Sequence, residues 1–270
     1  MKIAVLGPKG TFSELALIKY QNKLSSNYTC GFFNTINETV RALHDDYDMA
    51  IVPIENTLDG YVQRTLDLLL EEETYVIDQV IVPVQFKLVS NNLLKDIENI
   101  YVQFKALGQC NNFINTLHNV RITNTDSNIT SYILWSENKE KNGAVVPVHL
   151  DVSSKYKYDN ITDSKNNDTR FFILKKKENK VIDKNQNIRV PLYIIPIAEY
   201  PGLLYNVLKV FNDHLINLTT ILSRPKKSKM GEYNFYVEIE TTYEKFNILL
   251  EDVKKVSDKF DIKVLGIILE

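Results

Sequence analysis

The chain opens on an apolar run, Ile3-Ala4-Val5-Leu6, stopped by Gly7-Pro8-Lys9-Gly10, the pattern of a short buried strand and a turn. Thr11 and Glu14 then stand at capping-box spacing ahead of Leu15, Ala16, Leu17 and Tyr20, which predicts a helix start. Ile36, Val40 and Leu43 share one helical face, an apolar strand follows over 49–54, and Val62, Leu66 and Leu69 mark a helix over 61–72. This alternation predicts an α/β fold with a largely parallel sheet. From 75 to 89 the pattern is mostly strand, broken at Pro83. A further α/β unit reads as strand 100–102, helices 110–117 and 127–135, and strand 143–148. A polar stretch over 153–168 leads back to an apolar strand over 171–174.

The last eighty residues have a different rhythm. They read as strand 192–197, helix 203–213, strands 217–223 and 232–240, helix 243–258 and strand 263–269, with a basic loop from Pro225 between the middle strands. That order is β-α-β-β-α-β, a ferredoxin-like unit. The polar run after Lys175 separates it from what precedes. The expected division is a first domain over 1–175, a linker over 176–187 and a C-terminal domain over 188–270.

Composition narrows the function more than it names one. Of 270 residues, 44% are hydrophobic and 24% charged, enough for a sizeable core. Lys plus Arg total 32 against 34 Asp plus Glu, so no overall basic field favours nucleic acid. Two cysteines, Cys30 and Cys110, cannot make a disulfide framework, and His44, His118, His149 and His214 lie too far apart for metal-ligand spacing. The opening apolar run is too short for a secretion signal, and no run approaches the roughly 20 residues of a membrane span. A soluble, cytoplasmic protein is expected.

Three places could carry chemistry. The turn and helix start Gly10 to Ser13 offers free backbone N–H groups to an anion, or Thr11 and Ser13 simply cap the helix. Glu55-Asn56-Thr57 ends an apolar strand, where open α/β sheets bind ligands, or forms an ordinary polar loop. Arg170 in Asn167-Asp168-Thr169-Arg170-Phe171 opens an apolar strand and needs a carboxylate there, from the protein or from a ligand.

Together these segments resemble prephenate dehydratases. The residues that carry the resemblance are Gly7-Pro8-Lys9-Gly10-Thr11-Phe12-Ser13-Glu14, Val52-Pro53-Ile54-Glu55-Asn56-Thr57 with Gly60, Val62 and Thr65-Leu66-Asp67-Leu68-Leu69, and Asn167-Asp168-Thr169-Arg170-Phe171. In the tail, Pro201-Gly202-Leu203-Leu204, Ile216-Asn217-Leu218-Thr219 and Ser223-Arg224-Pro225 resemble an ACT domain, the phenylalanine-binding regulatory module of that family. The resemblance implies a catalytic domain of two α/β lobes like those of periplasmic binding proteins, the second lobe covering about 80–150. It implies prephenate as substrate, no cofactor or metal, phenylalanine as effector, and a homodimer or homotetramer. Thr169, Asn56, Thr57 and Glu55 would be the catalytic set, with Gly10, Thr11, Ser13, Arg170 and Phe171 binding substrate. Gly202, Leu203, Leu204, Asn217, Leu218, Ser223 and Arg224 would bind the effector.

The departures from the family pattern concentrate in the expected second lobe. Phe86 stands where a His is usual, Val102-Gln103-Phe104-Lys105-Ala106 replaces Ser-His-Pro-Gln-Ala, and Asp126-Ser127-Asn128 replaces Ser-Thr-Ala. In the tail, Leu222 replaces a Glu and Leu203 an Ala. These losses leave two alternatives to a prephenate dehydratase: a non-catalytic binder of an aromatic acid, or a related lyase acting on arogenate or decarboxylating prephenate without aromatisation.

Overall fold

The computed structural model describes residues 1–24, 27–177, 181–198, 200–228, 230–255 and 260–270. The chain first builds β1 (Lys2–Leu6), α1 (Phe12–Gln21), β2 (Thr29–Phe33), α2 (Ile36–Arg41), β3 (Met49–Asn56), β4 (Gly60–Tyr61), α3 (Gln63–Glu71) and β5 (Tyr75–Pro83). Strand β1 pairs in parallel with β2 and β3, as the early strand–helix alternation predicts. Ala50, Ile51 and Val52 are fully buried because helices cover both faces of the sheet. On one face α1 packs Leu17 against Ile3, Val5 and Ile51; on the other, Leu66 and Leu69 of α3 join Ala50 and Val52. The helix expected from 61 begins only at Gln63. Gly60, at φ 75°, turns the chain so that β4 pairs back onto Glu55 and Asn56.

After Pro83 the chain crosses into a second sheet of β6 (Phe86–Ser90), β7 (Asn99–Gln103), β8 (Arg121–Thr125), β9 (Asn142–Pro147) and β10 (Tyr156–Tyr158), in spatial order β10-β6-β9-β7-β8. Its helices are α4 (Phe104–Gly108), α5 (Asn111–Ile114) and α6 (Asn128–Glu137). The polar stretch from 153 therefore contributes a strand. The chain then returns to the first sheet as β11 (Asp168–Lys175), antiparallel between β3 and β5. The outgoing and returning segments are tied where they pass, Val84 N donating to Asn167 O at 2.7 Å. Two lobes joined by two adjacent crossings enclose a cleft.

The tail forms β12 (Asn187–Pro196), α7 (Leu203–Asp213), β13 (Asn217–Pro225), β14 (Tyr233–Thr242), α8 (Tyr243–Lys255), β15 (Phe260–Val264) and β16 (Ile268–Leu269). Its order β13-β14-β12-β15 is the ferredoxin-like arrangement. The last expected strand is split at Gly266, which lies so close to Val76 that a Cβ would meet Val76 O at 2.1 Å. Part of the expected linker, 178–180, and the end of the helix expected to reach 258 lie outside the described residues. Alternation along β12 and β14 sends Ile188, Val190, Leu192, Val237 and Ile239 toward α7 and α8. The opposite face sends Tyr193 and Tyr236 into the core of the first lobe, beside Leu66, Leu68 and Leu69. Tyr193 Oη donates to Leu66 O at 3.0 Å, and Val76 N to Leu265 O at 2.7 Å. The tail sheet thus packs directly onto the first lobe. No helix among the described residues is long and apolar enough to cross a membrane.

Candidate active site

Strands β3 and β11 place Asn56 opposite Thr169 and Glu55 opposite Arg170. Successive strand residues face opposite sides of a sheet, so these two pairs part company. Asn56 and Thr169 line an interlobe cavity of about 510 Å³, while Glu55 and Arg170 line a separate hollow behind it.

On the cavity side the orientation of Asn56 is fixed by its own loop. Its Oδ1 accepts from Leu58 N and Asp59 N, both at 3.0 Å. Nδ2 therefore faces Thr169 Oγ1 and Asn167 Oδ1, each at 2.9 Å, and Asp168 O at 3.2 Å. Asn167, fully buried, donates onward to Gln109 Oε1 of the second lobe at 2.9 Å. A continuous amide chain thus runs from the second lobe to the Thr169 hydroxyl. The apolar wall is Phe12 set edge-on to Phe86, with ring centroids 5.5 Å apart. The second lobe also contributes Gln103, Lys105, Ala106 and Asn128 to the lining, and Asn128 Oδ1 is buried without a partner. Across the cavity mouth Lys105 Nζ lies 3.6 Å from Asp59 Oδ2.

At the start of α1 the expected capping box does not form. Glu14 Oε2 accepts from Gly10 N at 2.6 Å, whereas the Thr11 hydroxyl caps nothing and is buried without a partner. Gly10 sits at φ 90° against the second lobe, where a Cβ would meet Ile129 at 2.4 Å. The start of α1 is therefore a close contact between lobes as well as a source of free N–H groups. Phe12 reaches the cavity; Ser13 is buried beneath it.

The other face corrects several expectations. Arg170 is 8% exposed, and its guanidinium makes a two-pronged contact with Glu238 of β14, at 2.7 Å from Nη1 and 2.6 Å from Nη2. Nη2 also lies 2.9 Å from Glu55 and donates to Tyr61 Oη at 3.1 Å. Burial pulls the guanidinium pKa down, but the hydrogen bonds and charge of Glu238 outweigh burial and hold it above its ordinary value. Arg170 is thus a protein ion pair and does not reach substrate in the cleft, and Glu55 is its partner. Thr57 Oγ1 is held by the Asp168 backbone, donating to its carbonyl at 3.1 Å and accepting from its N–H at 3.2 Å. Phe171 is 2% exposed in the core under α1, which removes it from substrate contact. Of the expected catalytic set, the sheet brings only Asn56 and Thr169 together in the cavity.

Glu238, fully buried, is the functional-looking residue that sequence reasoning missed. It also accepts from Tyr236 Oη at 2.7 Å. Burial and the Glu238 charge push the Tyr61 hydroxyl up to about 12. Its signal was a lone carboxylate between Val237 and Ile239, at a position that alternation assigns to the face opposite the tail helices. Among the expected effector residues, Gly202, Asn217 and Ser223 are exposed and Leu204 is half-buried. Leu203 and Leu218 belong instead to or beside the tail core. Arg224 is committed to Asp67 of α3, at 2.7 and 3.1 Å, so it serves the junction rather than an effector.

Residues 3–179 match the family model for prephenate dehydratase. The prephenate dehydratase of Methanocaldococcus jannaschii is 31% identical, the alignment covering 92% of this chain and 91% of that one. The crystal structure of the prephenate dehydratase from Staphylococcus aureus superposes with a TM-score of 0.82 at 27% identity, covering 99% of this chain and all of the other. That of Arthrobacter aurescens in complex with L-Phe gives a TM-score of 0.84 at 23% identity, covering all of this chain and 90% of the other.

Proposed function

The chain belongs to the prephenate dehydratase family, and we propose that it is a carbon–oxygen lyase converting prephenate to phenylpyruvate, CO2 and water in phenylalanine biosynthesis. The observation that carries this reading is the Asn56–Thr169 hydrogen bond inside the interlobe cavity. A hydroxyl has one donor hydrogen and two acceptor lone pairs. The Asn56 amide occupies a lone pair of Thr169 Oγ1, which leaves the Thr169 proton free to hydrogen-bond the departing ring oxygen. Donation by Asn56 strengthens that bond, since linked hydrogen bonds polarise one another.

In the reaction the ring C–OH bond breaks as the ring carboxylate leaves as CO2, and the electron pair of the broken C–C bond completes the aromatic ring. One proton must be taken up to release water. A threonine hydroxyl is a weak acid, so Thr169 orients and hydrogen-bonds the leaving group and the proton comes from solvent. Phe12 and Phe86, set edge-on to one another, give the substrate ring an apolar wall. The leaving carboxylate gains nothing from strong binding, because stabilising it would raise the barrier to its loss. Phenylpyruvate release from prephenate, followed by its absorbance in alkali, tests this reading; no turnover beside a working relative rejects it.

The tail is proposed as the phenylalanine sensor. Lys226 Nζ donates to Pro196 O at 2.5 Å, which brings the end of β13, with Ser223, to the same end of the sheet as the loop leading to Gly202. The relative from Arthrobacter aurescens is in complex with L-Phe. Phenylalanine titrated into the full chain is expected to bind saturably and slow turnover. A homodimer or homotetramer in the cytoplasm completes the proposal, with β13 as an open sheet edge for association.

A further inference from the structure

A substrate with two carboxylates needs positive charge, and the cleft holds little. Arg170, the cation expected there, is turned to the far side of the sheet and bound by Glu238 and Glu55. Among the described residues that line the cavity, Lys105 is the sole cation and Asp59 the sole anion. The polar remainder consists mainly of neutral amides and hydroxyls such as Asn56, Gln103, Gln109, Asn128 and Thr169. Lys105 opens from α4 of the second lobe and Asp59 from the β3–β4 turn of the first, so their 3.6 Å contact spans the cleft. Both side chains keep substantial exposure, 59% and 45%, which leaves the ammonium free to swing from one anion to another. The Gln103 side chain, accepting from Lys105 N and Ala106 N, caps α4 and fixes where Lys105 begins.

We propose that Lys105 is the substrate-anchoring cation of this enzyme, exchanging Asp59 for a prephenate carboxylate when the cleft fills. Asp59 is then an internal competitor that holds the ammonium at the cavity mouth until substrate arrives. The carboxylate held is the one retained in phenylpyruvate, since a charge contact to the departing one would oppose its loss. The inference rests on the functional reading above and adds to it the residue that compensates for the withdrawal of Arg170.

The test is steady-state kinetics on full-length Lys105→Met, Lys105→Arg and Asp59→Asn with prephenate. Lys105→Met is expected to raise KM about tenfold or more while kcat changes little, the size of one lost charge-assisted contact. Lys105→Arg restores most of the loss. Asp59→Asn separates anchoring from lobe bridging: anchoring lowers KM when the competitor is removed, whereas a bridging role raises it as Lys105→Met does. Wild type that forms no phenylpyruvate overturns the functional reading itself. Wild-type turnover with KM unchanged in Lys105→Met, or with both variants raising KM alike, overturns this inference alone.

Discussion

Arg170 and Glu238 meet through two hydrogen bonds, 2.7 and 2.6 Å long, across the boundary between the first lobe and the tail sheet. Arg170 directly follows Thr169, and Glu55, its second partner, directly precedes Asn56. A buried carboxylate of the tail is therefore attached to the backs of the two strands whose fronts line the cavity. Removing one member of a buried pair strands the other charge, at a cost of about 3–5 kcal/mol. Glu238→Ala is expected to lose stability on that scale in urea unfolding, and Glu238→Gln less. A loss well under ~1 kcal/mol for Glu238→Ala would contradict the pairing.

Asn56 has two jobs. Its Oδ1 ties the turn at Leu58 and Asp59 while its Nδ2 holds Thr169. Asn56→Ala is therefore expected to lose both turnover and about 1–3 kcal/mol of stability, because the side chain of buried Asn167 loses its donor and the turn loses its tie. Retained turnover with lowered stability alone would confine Asn56 to the turn.

The junction between α3 and β13 carries a pH dependence. Burial raises the Asp67 carboxyl pKa, but hydrogen bonds from Lys227 and Arg224 outweigh it and hold the pKa below the usual 3.8. A group depressed on folding contributes stability above its unfolded pKa and loses that contribution as pH falls through its folded value. The stability gap between wild type and Asp67→Asn is expected to be widest near neutrality and to close below about pH 3.8. Urea midpoints of both proteins between pH 7 and pH 3 measure it; a gap independent of pH would rule out ionic pairing.

Cys110 is fully buried in the second lobe, and burial pushes its thiol up to about 12, whereas Cys30 is exposed. Thiolate is the reactive form. At pH 8 a disulfide reagent is expected to titrate one thiol per native chain quickly and the second only after denaturation. Two fast thiols would mean that the core around Ile100, Val102 and Cys110 is open.

Much of the fold is legible in the sequence because its signals are local. The apolar runs at Ile3 and Met49, the helix face of Leu66 and Leu69, and the strand–helix order of the tail each report their own element. Thr169 and Asn56 were legible too, through motif and strand end. What stayed hidden depends on which way a strand faces once paired. Arg170 and Thr169 are neighbours in the chain, yet register with Glu55 and Asn56 sends them to opposite sides. Glu238 could be read as an oddity in an apolar strand, but its partner lies 68 residues away and only docking of the tail onto the first lobe unites them. The helix expected over 110–117 forms only as the short α5, and α4, which had no counterpart in the sequence pattern, is where Lys105 proves to face the cavity.

As proposed, the Thr169 hydroxyl, held by Asn56, assists loss of the ring hydroxyl of prephenate. Phenylpyruvate formation by purified wild type and by Thr169→Ala under identical conditions decides whether it does. Wild type is expected to turn over and Thr169→Ala to fall by at least ~10²-fold, the lower end of acid–base contributions, with only a small shift in urea midpoint, because Asn56 Nδ2 keeps Asn167 Oδ1 and Asp168 O as acceptors. A Thr169→Ala enzyme that matches wild type, or a wild type that makes no phenylpyruvate beside an active relative, would contradict it.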